Sequence, residues 1–212
     1  MKHISPLRYP GGKGCLTDFI RDILYENDLQ GGTYLEPYAG GAGVALKLLI
    51  NEHVDSVVIN DADYRIYAIW KSILLRKNQF IDYVMETPLT IDEWKKQKAI
   101  YLRPKQNSRI KVGFAAFYLN RCNRSGIING GAIGGLDQSG KWKIDARFNR
   151  ENLVERIKKI ADYKTRIDVR NLDALELMKA AKDISRSSRM LAYLDPPYYV
   201  QGANLYLNHY AH

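Results

Sequence analysis

The stretch from Thr33 to Asp61, TYLEPYAGGAGVALKLLINEHVDSVVIND, constrains the fold more than any other part of the chain. TYLEPY reads as a short apolar strand that ends in the turn AGGAG. VALKLLINEH returns as a helix, and SVVIN is the next strand, closed by Asp61. Strand, glycine turn, helix and strand make the βαβ unit of a parallel sheet. The same alternation resumes late in the chain: ENLVERIKKIADY reads as a helix, RIDVRN as a strand, ALELMKAAKDI as a helix and RMLAYLD as a strand. CLTDFIRDILYEND, before the first strand, reads as an amphipathic helix.

Between these α/β parts the texture changes. YRIYAIWKSILL and FIDYVME continue as helices, and Pro88 interrupts them. TIDEWKKQKAIYL restarts the helical pattern, with Thr90 and Glu93 spaced as a capping box. RIKVGFAAFYLNR is a further helix, and NRSGIINGGAIGGLDQSGKW is Gly-rich and reads as loops and hairpins. The sequence therefore predicts one α/β domain, residues 1–75 and 165–212, interrupted by an insertion at 76–164.

Charge separates the insertion from its scaffold. The 212 residues carry a net charge of +9, and from Lys95 to Gly135 there is no Asp or Glu. That segment holds Lys95, Lys96, Lys98, Arg103, Lys105, Arg109, Lys111, Arg121 and Arg124. A one-sign segment attracts phosphates and releases counterions; a solvated helix face is the alternative reading. Hydrophobic content of 46% and charged content of 26% are those of an ordinary globular protein. No apolar run can span a bilayer, and MKHISPLRYPGGKG lacks an apolar signal core. The expectation is a cytoplasmic protein with no membrane partner, whose Cys15 and Cys122 are reduced thiols buried as small apolar side chains.

The glycine turn narrows the ligand. Gly41 and Gly43 fit a G-x-G-x-x-G fingerprint, but Leu46 stands where its third glycine belongs, which disfavours NAD. Glu36, just before the turn, would repel a pyrophosphate and suits a ligand carrying positive charge. Asp61, at the end of the second strand, stands where a carboxylate grips ribose hydroxyls. A nucleoside with a cationic tail is S-adenosylmethionine. A tight turn with a capped helix end is the alternative. YPGGKG, residues 9–14, is not a P-loop: Leu7 replaces the first glycine and Gly14 replaces the magnesium-holding Ser/Thr. Lys13 can still serve as a cation beside a carboxylate or phosphate.

LDPPYY, from Leu194, places a carboxylate, a stiff turn and aromatic rings side by side. The lone pair of a base's exocyclic amine is delocalised into the ring. Acceptors set against its N–H groups oppose that delocalisation and favour attack on a methyl sulfonium, with no metal required. The Asp195 carboxylate and the Pro196 carbonyl are the candidate acceptors, Pro196 and Pro197 stiffen the turn, and Tyr198 can stack on a base taken out of the duplex. Alone, the motif also reads as a turn after a buried strand.

With these motifs the chain resembles the Dam-type DNA adenine-N6 methyltransferases, the D12 class with the alpha order of motifs. LRYPGGKG is similar to that family's N-terminal cofactor motif, LEPYAGGAG to its glycine motif, NDAD to its ribose-binding acid, DPPY to its catalytic motif, and NRCNRSGIINGGAIGG…DARFN to its target-recognition region. The resemblance implies a seven-stranded, Rossmann-like, S-adenosylmethionine-dependent methyltransferase sheet. It also implies an inserted, mainly helical and hairpin target-recognition region that binds double-stranded DNA. It implies cofactor contacts from Tyr9, Lys13, Glu36, Gly40, Asp61, Asp173 and Asp195, and DNA contacts from Arg8, Arg121 and Arg124. Arg124 stands where the family's type member has an aromatic residue. A cytosine-N4 methyltransferase and a catalytically weak remnant that binds DNA or cofactor are the rival readings. Family members continue past DPPY by a further helix and three strands. The expectation is thus a sheet incomplete at its C-terminus and a complementing C-terminal chain as partner. Prokaryotic or phage origin follows from the resemblance, and pairing with a restriction endonuclease is left open.

Overall fold

The computed structural model describes residues 4–8, 13–181 and 189–196. The chain divides into two compact units: residues 1–5, 11–67 and 163–212 form one, and 6–10 with 68–162 form the other. The division after residue 67 lies eight residues before the boundary expected from sequence. The N-terminal segment 6–10 belongs to the second unit, where the sequence pattern had put it with the first.

The first unit is built on four parallel strands: β1 (Thr33–Glu36), β2 (Ser56–Asn60), β3 (Ile167–Arg170) and β4 (Met190–Ala192). Their order is β3-β2-β1-β4. The family's implied seven strands are represented by these four among the described residues. Helices α1 (Thr17–Glu26), α2 (Gly43–Ile50) and α8 (Ala174–Lys179) belong to this unit. All four residues of β1 are buried, as a central parallel strand covered on both faces requires. Pairing of Leu35 with Val58 and of Glu36 with Ile59 separates the faces. Leu35 and Val58 pack with Leu177 and Ala181 from the α8 region. Tyr34 and Glu36 point to the opposite face, where α2 lies, since the Glu36 carboxylate reaches the Ala45 amide.

Helix α3 (Tyr64–Leu75) carries the chain into the second unit, which holds α4 (Lys77–Glu86), α5 (Ile91–Leu102), α6 (Arg109–Cys122) and α7 (Arg150–Asp162). Helix α6 is its centre: Val112 to Asn120 are all buried, the mark of a helix packed on every side. Its Gly113 is required by close approach, because a Cβ there would meet the Ala68 carbonyl oxygen at 2.5 Å. Phe80, Phe114, Phe117 and Phe148 interlock largely edge to face, with Phe80 and Phe117 centroids 5.4 Å apart. Thr90 caps α5 by accepting the Glu93 N–H at 3.2 Å.

Two expectations change. The glycine-rich segment after α6 holds one antiparallel bridge, Asn123 to Ala132, in place of hairpin strands. Its order comes from Asn123, fully buried, which accepts from Trp94 Nε1 at 2.7 Å and donates to the Ile127, Ile128 and Gly130 carbonyls. A side chain that supplies the ladder's hydrogen bonds makes strands unnecessary. Of the cysteines, Cys122 is buried, but Cys15 is exposed in the 3₁₀ turn Gly14–Leu16, which is too short to cover it. Both are free thiols. Among the described residues no helix is long and apolar enough to cross a membrane.

Candidate active site and nucleic-acid interface

In the first unit the order β3-β2-β1-β4 reverses direction at β1: the chain steps outward to β2 and β3, then returns to the far side of β1. Ligands of open α/β sheets bind outside the carboxyl ends of the strands at such a switch point. Glu36 ends β1, Asp61 follows β2 and Asp195 follows β4. Each therefore stands at a carboxyl end of the sheet.

The turn leaving β1 takes a left-handed backbone at two residues, a glycine that adopts it freely and an alanine that is strained by it. Gly40 has φ +46°, and Ala42, the N-cap of α2, has φ +47° and ψ +34°. The left-handed conformation costs an alanine about 1–2 kcal/mol. The left-handed positions are thus Gly40 and Ala42, whereas the sequence fingerprint pointed to Gly41 and Gly43. Asp61 braces the turn: one carboxylate oxygen accepts the Gly40 N–H at 3.1 Å, and the other accepts the Asp63 N–H at 2.9 Å. Asn60, buried and not singled out from sequence, ties three strand ends together. Its amide donates to the Pro37 and Leu172 carbonyls, and its oxygen accepts from the Leu172 N–H. Its signal was a polar residue closing the strand directly after the apolar run Val57–Ile59.

Burial raises two carboxyls. Glu36 is pushed up to about 7, chiefly by desolvation, with the Asp195 charge adding and the Ala45 N–H at 3.1 Å opposing. Asp61 is also pushed up to about 7, again chiefly by burial, against the amides it accepts and with the Asp63 charge adding. Two acids poised near neutrality in one strand-end region gain from a ligand that brings positive charge or hydroxyl donors.

Lys13 and Asp195, distant in sequence, form an ion pair: Lys13 Nζ lies 2.8 Å from both carboxylate oxygens. Tyr193 N–H bonds the Leu35 carbonyl at 2.9 Å, which registers the chain leading to Asp195 against the end of β1. Lys47 donates to the Gly14 carbonyl at 2.8 Å, holding the turn that follows Lys13 to α2. Asp173 is exposed and caps α8 by accepting the Leu175 N–H at 2.8 Å. Pro196 is exposed at the edge of the described chain. Tyr9, Pro197 and Tyr198 lie outside the described residues.

In the second unit the basic residues divide into two kinds. Lys95 and Lys96 pair with Asp92 and Glu93 at 3.6 Å, and Lys98 lies over the Trp94 ring. The acid-free run is thus partly compensated by acids one turn earlier, and such exposed pairs contribute little. The arginines differ. Asn120 clasps the Arg8 main chain, accepting its N–H at 2.8 Å and donating to its carbonyl at 2.6 Å. Gly126, at φ +76°, leaves room for that segment, since a Cβ there would meet the Arg8 carbonyl oxygen at 2.3 Å. Arg121 donates to the Arg147 carbonyl, and burial with the neighbouring Arg8 charge pushes it down to about 10. Arg124 is exposed, its amide bonded to the Gly131 carbonyl at 3.0 Å.

No curated protein matches the chain. The family profile of the D12 class N6 adenine-specific DNA methyltransferases matches residues 9–210. That span takes in the glycine turn, the three strand-end acids and the basic second unit. The match decides for adenine over the cytosine-N4 alternative: this chain belongs to the D12 class N6 adenine-specific DNA methyltransferase family.

Proposed function

We propose that the chain transfers the methyl group of S-adenosylmethionine to N6 of an adenine turned out of double-stranded DNA. The observation that carries this reading is the Lys13–Asp195 pair at the carboxyl end of β4, at the sheet's switch point. The residues present fit the cofactor. Asp61 keeps further lone pairs for ribose hydroxyls beyond the amides it accepts. Glu36, near neutrality in a buried site, ionises readily beside a sulfonium. Tyr9, Gly40, Asp173 and Lys13 would complete the contacts. When bound, the cofactor supplies an electrophilic methyl group.

The chain's own part is orientation and charge. Lys13 fixes the Asp195 carboxylate through both oxygens, and each oxygen retains a lone pair. One of these accepts an N–H of the adenine amine, and the Pro196 carbonyl accepts the other. The nitrogen lone pair would thereby be withdrawn from the ring and made available to an electrophile. Asp195 would hold the amine proton, made acidic once the nitrogen is alkylated, until it leaves to solvent. Tyr198 would stack on the extruded base, with Pro197 stiffening its turn. Arg8, Arg121 and Arg124 would hold the duplex, with residues 76–164 as the target-recognition region. Chemistry on DNA fits the cytoplasm of a prokaryote or a phage-infected cell.

The test is incubation of the chain with duplex DNA and methyl-labelled S-adenosylmethionine, followed by nucleoside analysis. Label in N6-methyladenine is expected. Label in N4-methylcytosine, or none under conditions where both ligands bind, would overturn the reading.

A further inference from the structure

Helix α2 carries a single polar residue, Lys47, in the sequence GVALKLLI. Val44, Ala45, Leu46, Leu48 and Leu49 around it are buried, and Lys47 itself is half-buried. It stands one turn on from Gly43, so the two share a face, and a helical side chain leans back toward the amino end. There Gly14 passes over the first turn of α2: a Cβ on Gly43 would lie 3.8 Å from the Gly14 Cα. Lys47 Nζ donates to the Gly14 carbonyl at 2.8 Å. The residue before Gly14 is Lys13, which holds both oxygens of Asp195.

The fold has little need of this contact for stability. Thr17 Oγ1 donates to the same carbonyl at 2.9 Å, so the oxygen stays satisfied without Lys47. Among the described residues no carboxylate pairs with Lys47. Its ammonium also lies at the turn that opens α1, and the amino end of a helix disfavours a cation. What the contact adds is a strut from a second element. Thr17 belongs to α1 and Lys47 to α2, and two donors on one oxygen fix the peptide plane after Gly14. The Leu16 N–H bonds the Lys13 carbonyl at 2.7 Å and fixes the plane before it. The Cα from which the Lys13 side chain leaves lies in that plane.

We propose that Lys47 is a positioning residue for methyl transfer: through the Gly14 carbonyl it fixes Lys13, and through Lys13 the Asp195 carboxylate. The inference rests on the methyltransferase reading, in which Asp195 accepts an N–H of the adenine amine, and it adds a residue that touches neither cofactor nor base. The Lys13 side chain is long and has many rotamers, so its grip on Asp195 is only as precise as the main chain it leaves from. A charged donor holds that main chain more firmly than the Thr17 hydroxyl alone, and an acceptor set against a reacting group must be placed to within a fraction of an ångström.

The experiment uses the whole chain and the variants Lys47→Met, which keeps the apolar stem and loses the donor, Lys47→Arg, Lys13→Met and the double change Lys13→Met with Lys47→Met. Single-turnover methylation of duplex DNA at saturating S-adenosylmethionine is expected to slow about tenfold to a hundredfold in Lys47→Met, with the dissociation constants for S-adenosylhomocysteine and DNA unchanged. Lys47→Arg, which keeps a charged donor, recovers part of the rate. In the Lys13→Met background Lys47→Met costs nothing further, because the two act through one path. A second readout needs neither ligand nor turnover: in Lys47→Met, amide hydrogen exchange rises in the segment 13–17 and stays as it was in β1 and β2. If the unaltered chain transfers no methyl group to adenine, the methyltransferase reading falls and this inference with it. If it does, a native rate in Lys47→Met overturns the inference alone. So does an equal loss in the presence and absence of Lys13, or a Lys47→Arg chain as slow as Lys47→Met. Exchange that rises across the sheet as well would assign Lys47 to the stability of the fold and overturn it too.

Discussion

The two units hold their charges in mirror fashion. In the first, acids are gripped by main-chain amides: Glu36 by Ala45, Asp61 by Gly40 and Asp63, Asp173 by Leu175. In the second, arginines are gripped by main-chain carbonyls: Arg8 by Asn123, Arg121 by Arg147, Arg150 by Val84 and Thr87. Burial acts on both sets and ends differently. It raises Glu36 and Asp61 to about 7, so these acids can give up or take a proton near neutral pH. It lowers Arg121 only to about 10, which leaves the guanidinium charged throughout the physiological range. A site that must respond to a cationic cofactor can use titratable acids. A surface that must hold phosphate regardless of conditions needs a cation that does not titrate.

The comparison predicts that chemistry and DNA binding separate by unit. The largest effect is expected from Asp195→Ala, which removes a pre-organised acceptor and the partner of Lys13. By analogy with an oxyanion-hole donor, the methylation rate should fall about 10²–10³-fold. DNA affinity, read by titration of a labelled duplex across about 50 to 200 mM salt, should be unchanged. Near-normal single-turnover methylation would remove Asp195 from the mechanism, and a matching loss of DNA affinity would break the division between units. Next comes the double change Arg121→Ala with Arg124→Ala. Affinity for duplex DNA should fall by about two orders of magnitude at low salt and the salt slope by about two units, if each contacts one phosphate. Calorimetric titration with S-adenosylhomocysteine should show no change. Third, Asp61→Ala should weaken S-adenosylhomocysteine binding about tenfold or more, through lost ribose contacts and a Gly40 turn released from its brace. An unchanged dissociation constant would remove Asp61 from the cofactor site.

How far the sequence foretold this depends on whether a feature is local or assembled. The βαβ unit was legible because strand, glycine turn and helix follow one another within Thr33–Asn60, and β2 and α3 fall where the periodicity placed them. The Thr90 cap was legible because capping needs only residues three apart. Asp195 could be singled out, since the adjacent prolines mark its turn, and Lys13 as a cation beside a carboxylate or phosphate, but not their pairing: the contact spans 182 positions and exists only once the sheet is formed. The hairpins expected after α6 failed for a related reason. Glycine content signals the absence of a helix, but it does not reveal that one buried asparagine, Asn123, supplies the hydrogen bonds a second strand would have made.

Glu36→Gln is expected to have the smallest effect on turnover, and it sharpens the comparison because its two readouts move in opposite directions. The carboxyl of Glu36 sits at about 7 in the folded protein against 4.5 unperturbed, so between those values the folded state binds the extra proton. Stability is therefore lost as pH rises from about 4.5 through 7, at up to about 1.4 kcal/mol per pH unit for one group. Glutamine keeps an oxygen to accept the Ala45 N–H and carries no charge to bury beside Asp195 and Tyr34. The variant should then match the native chain in thermal unfolding near pH 5 and exceed it near pH 8. Asp61 titrates over the same window and remains in both proteins, so its contribution cancels in the difference. Cofactor affinity should behave the other way. Near pH 5 the native acid is protonated and glutamine resembles it, whereas near pH 8 the ionised acid attracts a sulfonium and glutamine does not. S-adenosylmethionine should bind the variant several-fold more weakly at the higher pH only, and S-adenosylhomocysteine, which lacks the charge, should bind both proteins alike. Equal loss for both ligands would mean that Glu36 shapes the α2 turn without sensing the cofactor's charge, and a variant less stable at pH 8 would mean that the buried carboxylate is better solvated than its surroundings imply.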